Sequence, residues 1–144
     1  MYQYAGDEII VSWSLKKGLS NNNCITCFFL INEIFQNSAD EYIKSFGLEP
    51  TYKAGFHYGK VTTGEVGVLK KEVFFTGDVL NTTARIQTTC SQYKTDILIS
   101  AELFQLLKFT SLYEIIPIGE FQLKGRNEKI ALFTIKNKMN PAVN

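Results

Sequence analysis

Tyr2-Gln3-Tyr4 and Ile9-Ile10-Val11-Ser12-Trp13 are rich in aromatic and β-branched residues, with Gly6-Asp7-Glu8 between them. Such runs predict two strands, and Gly6-Asp7 predicts the tight turn that joins them, because Gly accepts φ > 0 and Asp can bond its own backbone. The polar stretch 16–23, Lys-Lys-Gly-Leu-Ser-Asn-Asn-Asn, reads as a linker that ends the hairpin and offers asparagine N-caps to a helix. Ile25, Phe28, Phe35, Ala39, Tyr42, Ile43 and Phe46 then recur at three- and four-residue spacing. That period predicts one amphipathic helix, stopped by Gly47 and Pro50.

Farther on, Tyr52 to Tyr58 and Glu72 to Thr76 read as strands, and glycines at 59, 64 and 67 punctuate short β-prone pieces between them. At Thr76-Gly77-Asp78 the pattern turns helical as far as Cys90, with a hydroxyl and a carboxylate where capping and the helix dipole favour them. Ile97-Leu98-Ile99 is a short buried strand, Ser100 caps a helix through Leu107, and Tyr113–Phe121 and Ile130–Ile135 are the last strands. The order β β α β β α β α β β predicts an α+β domain with helices packed on a mostly antiparallel sheet. The domain is expected over 1–136, with 137–144 as a disordered tail.

Composition narrows the function classes. A chain of 144 residues, 45% hydrophobic and 20% charged, is long enough for one core and ordinary for a water-soluble domain. A net charge of +1 lacks the basic footprint of a nucleic-acid binder, and paired exposed aromatics of the RNA-binding kind are missing too. The longest apolar run, 27–31, is far too short to span a bilayer, so no membrane contact is expected from this chain. Three cysteines without a secretory signal suggest reduced thiols. Cys24 and Cys27 form a CxxC, which Cys90 and His57 alone could extend to a zinc site; packing as small apolar groups is the simpler reading.

Asp7 is either a polar turn residue or a carboxylate placed for a divalent cation, since Mg²⁺ is bound by one or two carboxylates plus substrate phosphates. Asn81 and Arg85 are four apart and leave one helix face, where they are either solvated or able to hold a hydroxyl and a phosphate oxygen together. Lys124 and Arg126 flank Gly125 in a basic turn that could also clamp a polyphosphate.

Taken in order, Asp7 on its turn, Gly55-Phe56-His57-Tyr58-Gly59, Thr76 to Ile86 and Gly119 to Arg126 resemble the catalytic domain of class III adenylate and guanylate cyclases. GDVLNTTARI lies close to that family's G-D-x-V-N-x-A-x-R helix signature, and the resemblance runs from Tyr2 to about Ile135. It implies a ferredoxin-like, palm-type cyclase fold and conversion of ATP to 3′,5′-cyclic AMP and pyrophosphate, with GTP as the alternative substrate. Asp7 then matches a metal aspartate for Mg²⁺ (or Mn²⁺), and Asn81 and Arg85 match the residues that orient the ribose and stabilise transition-state charge. Lys124 matches the lysine on the terminal phosphates, with Arg126 as helper. Active sites in the family are composite, so a homodimer or a cyclase-domain partner is implied, in the cytoplasm or on the cytoplasmic side of a longer membrane-attached protein.

Three departures qualify the resemblance. The family domain opens with a strand that carries another metal aspartate, whereas this chain starts just before the second strand; it is expected to be an N-terminally truncated fragment with little or no activity alone. Gln3 and Phe74 stand at the two purine-reading positions, where lysine or glutamate and a small polar residue are usual. Gln can donate and accept while Phe can only stack or pack, so base choice stays open. A non-catalytic dimerisation or nucleotide-sensing domain is the competing expectation.

Overall fold

The structure, a computed structural model, describes residues 2–66, 72–122 and 129–138. Strands β1 (Tyr2–Ala5) and β2 (Glu8–Val11) pair antiparallel with Ala5 opposite Glu8, leaving Gly6-Asp7 as a two-residue turn. Gly6 sits at φ 66 while Asp7 does not share that sign, the pattern of a type II′ turn, which takes Gly first. Trp13, expected in the second strand, lies beyond its end.

The stretch 16–23 is not a linker. Leu15–Leu19 forms a helical turn, α1, followed by a 3₁₀ turn over Ser20–Asn22. Buried Gly18 makes this possible: a Cβ there would meet the Cβ of Trp13 at 3.3 Å, so the turn is held by close packing that hydropathy does not report. The asparagines do not cap the next helix either. Asn21 and Asn22 take left-handed backbone at φ 51 and 53, and the Asn22 side chain turns to the chain after 107. Its amide donates to the Lys108 carbonyl at 2.8 Å and its oxygen accepts from Lys108 N–H at 3.1 Å.

The single helix expected to Phe46 is two: α2 (Asn23–Asn37) and α3 (Ala39–Phe46), broken at Ser38 with φ −105, ψ 5. Asn37-Ser38 competes for backbone hydrogen bonds and favours such a break. Ile25 and Phe28 are buried as their period requires, but Ile43 and Phe46 are exposed. Gly47 ends α3 in left-handed conformation at φ 74, as expected of a C-terminal glycine.

Next come β3 (Ala54–Phe56), β4 (Thr62–Val66), β5 (Glu72–Thr76), α4 (Asp78–Gln92), β6 (Ile97–Ser100), α5 (Ala101–Phe104), β7 (Tyr113–Gln122) and β8 (Lys129–Asn137). The central sheet has the order β3-β6-β8-β7, parallel only between β3 and β6; β1–β2 and β4–β5 are separate antiparallel pairs. The α+β, mostly antiparallel expectation holds. β3 has β6 as its partner on one side, and among the described residues no strand pairs with its other edge.

Strand alternation splits the core between the two sheet faces. Ile97, Ile99 and Ile135 meet Cys24, Ile25 and Phe28 of α2 together with Leu103 and Leu107. Leu98, Ile130 and Leu132 meet Ile86 and Cys90 of α4. β7 carries Pro117, tolerated because this strand lies at the edge, and a register shift there leaves Ile118 without a partner on β8. The shift rephases the strand, so that Ile118 and Phe121, three apart, both pack on the α4 side. β8 runs through Asn137, and Lys138 N–H donates to the Leu112 carbonyl at 2.9 Å; residues 139–144 of the expected tail lie outside the described residues.

Candidate active site

The helix that carries Asn81 and Arg85 is fixed before its chemistry is considered. Its N-cap is Gly77 at φ 146, ψ 162, a conformation that excludes side chains. The expected hydroxyl falls on Thr76, whose side chain lies outside the described residues, while Asp78 does lie in the first turn, where the dipole favours it. The chain after β3 lies against this end: a Cβ on Gly59 would meet Val79 Cγ2 at 3.1 Å, and one on Gly77 would meet the Lys60 carbonyl at 3.4 Å. In the sequence Gly59 and Gly77 read as turn residues and as members of the family motifs, because close approach leaves no signal in a one-dimensional pattern.

One turn further, α4 rests directly on β3. A Cβ on Gly55 would stand 2.5 Å from the Gln87 nitrogen and 2.7 Å from the Thr83 carbonyl oxygen, so the two backbones touch. Thr83 donates to the Val79 carbonyl, and Thr88 and Thr89 both donate to that of Arg85 at 2.9 and 2.7 Å. Thr82 is the exception. Its hydroxyl is buried and has no hydrogen-bond partner among the described residues. With Thr82 and Ile86 turned inward, Asn81 is exposed and Arg85 half-buried on the opposite side, one above the other as the i, i+4 spacing requires.

Asp7 is exposed on the hairpin turn, and Glu8 is exposed at the start of β2. The hairpin neighbours α4: Glu8 to Val11, Gly55, Leu80, Thr83, Ala84 and Gln87 enclose a cavity of about 120 Å³. Asn81 and Arg85 do not line it, because about 100° of rotation per residue turns them off that face. Within one chain, then, Asp7 and the Asn81–Arg85 pair share no cavity described here. Among the described residues no three His, Cys, Asp or Glu side chains converge on a point. Asp7, exposed on its turn, offers a single carboxylate, a partial donor set of the kind that Mg²⁺ completes with substrate phosphates. Gln3 lies in β1 opposite Ile10, and Phe74 in β5 opposite Gly64; only their backbone register is described. Lys124 and Arg126 lie outside the described residues.

Around this frame, His57 Nδ1 is 2.8 Å from Ser100 Oγ, which also accepts from Leu103 N–H at 3.4 Å, so one hydroxyl joins the end of β3 to the start of α5. His57 had drawn notice in the sequence only as a zinc ligand and a member of a motif. Cys90 donates weakly to the Ala54 carbonyl, and burial pushes its thiol up to about 12. Burial raises Cys24 as well, and all three cysteines are free; Cys24 packs with Ile25 and Phe28, the small-apolar reading of the CxxC. Tyr52 donates to the Phe28 carbonyl, and burial holds its hydroxyl protonated well above the usual range.

The family model described as the adenylate and guanylate cyclase catalytic domain matches residues 30–137. The chain belongs to this cyclase family. Adenylate cyclase 2 of Rhizobium meliloti is 32% identical over 132 residues, 92% of this chain and 36% of that protein. A photoactivated adenylate cyclase subunit beta of Euglena gracilis is 36% identical over 81 residues, 56% of this chain and 9% of that protein. The cyclase domain described here thus spans about a third of the one relative and a tenth of the other. Among solved structures, a bacterial light-regulated adenylyl cyclase aligns with TM-score 0.44 and 26% identity over 55% of this chain and 22% of its own. A guanylate cyclase domain from Catenaria anguillulae in complex with GTP aligns with TM-score 0.41 and 25% identity over 54% of this chain and 40% of its own. No described helix is long and apolar enough to cross a membrane.

Proposed function

We propose that this chain supplies the Asn/Arg half of a composite purine nucleotide cyclase site, converting ATP to 3′,5′-cyclic AMP and pyrophosphate. The observation that carries this reading is the Asn81–Arg85 pair on α4, Asn81 exposed and Arg85 half-buried, with neither lining the cavity beside the hairpin. Groups so placed serve a nucleotide bound between two domains. The adenylate cyclase names of the curated relatives favour ATP over GTP.

In the reaction the ribose 3′-oxygen attacks the α-phosphorus in line and pyrophosphate leaves. The Asn81 amide holds the ribose so that the attacking oxygen stays aligned, and the Arg85 guanidinium, always charged, meets the negative charge that grows on the phosphoryl oxygens. Lys124, with Arg126, takes the terminal phosphates, and Gln3 and Phe74 meet the base. A bound Mg²⁺ or Mn²⁺ supplies acidification of the 3′-hydroxyl and neutralisation of phosphate charge, and Asp7 is the residue here that would hold it. The protein acts in the cytoplasm, alone or as the cytoplasmic part of a longer membrane-attached protein.

A second reading, a non-catalytic dimerisation or nucleotide-sensing domain, draws on Gln3 and Phe74 at the two base-reading positions and on Asp7 as a single turn carboxylate. Both are tested by measuring cyclic nucleotide from ATP and from GTP, using the chain alone and mixed with an adenylate cyclase domain whose own Asn/Arg pair is replaced. Product from ATP in the mixture, lost on Asn81→Ala or Arg85→Ala by roughly 10²-fold or more, is expected. No product from either nucleotide in either arm would sink the proposal.

A further inference from the structure

Between the chain leaving α4 and the β7–β8 pair lies a cavity of about 280 Å³, lined by none of the residues assigned above to the nucleotide. Ile97, Ile116 and Ile118 give it apolar lining, and Lys94 from the α4 exit and Lys136 from β8 add two cations to the same lining. Thr95 and Thr134 also line it and bond to each other at 2.7 Å, which ties the exit segment to the sheet.

Two features set this lining apart. Ile118 is the residue left unpaired by the register shift in β7, and such bulges re-aim a side chain. Lys94 adopts left-handed backbone at φ 50 just past the end of α4, where glycine or asparagine is the usual occupant and another side chain costs about 1 kcal/mol. The chain carries an ammonium group in the cavity lining in spite of that cost.

We propose that this cavity binds a small amphiphilic monoanion, an aliphatic or aromatic carboxylate whose body lies on Ile97, Ile116 and Ile118 and whose head is held by Lys94 and Lys136. Asp96 lines the same space and opposes an anion. Glu114 stands opposite Lys136 on β7 and Lys53 neighbours Asp96, so the three ammonium groups around the site face two carboxylates and leave a surplus of a single positive charge, which suits a carboxylate and disfavours a polyphosphate. Burial raises the Asp96 carboxyl and the neighbouring Lys53 charge lowers it, burial being the larger effect. The volume lies just below the roughly 300–1,000 Å³ typical of small-molecule sites, so a short ligand fits and a nucleotide does not.

The test titrates 4-butylbenzoate, and separately 4-butylbenzyl alcohol, into the isotope-labelled chain and follows backbone amides by NMR. Saturable shifts at Lys94, Thr95, Ile118, Thr134 and Lys136 are expected, with the alcohol and the Lys136→Gln variant binding roughly tenfold more weakly. Lys94→Gly is the decisive variant: it relaxes the backbone, so the fold should gain stability while carboxylate affinity falls severalfold. Absence of saturable shifts up to about 10 mM, where even a weak site of this size would fill, overturns the proposal. So does equal affinity for the alcohol, or for the Lys94→Gly protein.

Discussion

Thr82 shows how much one hydroxyl can weigh. It is buried on α4 without a partner, one residue from Asn81, while Thr83, Thr88 and Thr89 on the same helix all bond to backbone carbonyls. Thr82→Val removes the stranded group and keeps the shape, so unfolding should require about 1 kcal/mol more free energy, read as a higher denaturant midpoint with an unchanged slope. A lower midpoint would mean that the hydroxyl has a partner after all. Asp96 gives a pH-dependent counterpart. Its carboxyl is raised chiefly by burial, so as pH climbs through and just above the ordinary carboxylate range the unfolded chain releases this proton first, and native stability declines. Asp96→Asn should remove that decline: the variant's advantage in urea melts is smallest in acid and grows toward neutrality, and an advantage that does not vary with pH would contradict the assignment. At this scale Asn81 and Arg85 were legible in the sequence, because a four-residue spacing on a helix dictates a shared face. Thr82 and Asp96 were not, since whether a polar group is stranded or desolvated depends on neighbours brought from elsewhere in the chain.

The elements divide along the same line. The first hairpin was readable from Gly6-Asp7 and its flanking runs, and β6 from three apolar letters, because local turn chemistry and alternation decide both. The helical turn at 15–19 and the break at Ser38 escaped: the first exists through Gly18 packing on Trp13, and the second interrupts an apolar period that runs on without a gap. Gly55 belongs to the same class, a strand residue whose missing side chain lets α4 lie on β3. Gly55→Ala should push the helix off the sheet and destabilise the fold by roughly 1–3 kcal/mol or more, as overpacking does. Increased hydrogen exchange along α4 and at β3 would report it, and an unaltered exchange pattern would show that the contact yields easily.

The whole molecule is a scaffold that keeps two chemical groups apart. Strand β2 of the hairpin lies beside one face of α4 while Asp7 stays exposed on the turn, and the Asn81–Arg85 pair leaves α4 by another face, so the proposed site closes between domains. In a dimer with two such sites, Asp7→Ala and Arg85→Ala should each abolish cyclic AMP formation, yet mixing the two variants should restore up to about a quarter of the activity, because half of the pairs are mixed and each mixed pair holds one intact site of two. No recovery on mixing would place both residues in one self-contained site. Gly55 bears on how any such activity data are read. In a library that samples every amino acid at each position, residue 55 would rank beside Asn81 and Arg85 among the intolerant sites, although it touches no nucleotide. Parallel scoring for abundance would separate them, with position 55 depleted in both assays and positions 81 and 85 depleted only where turnover is selected.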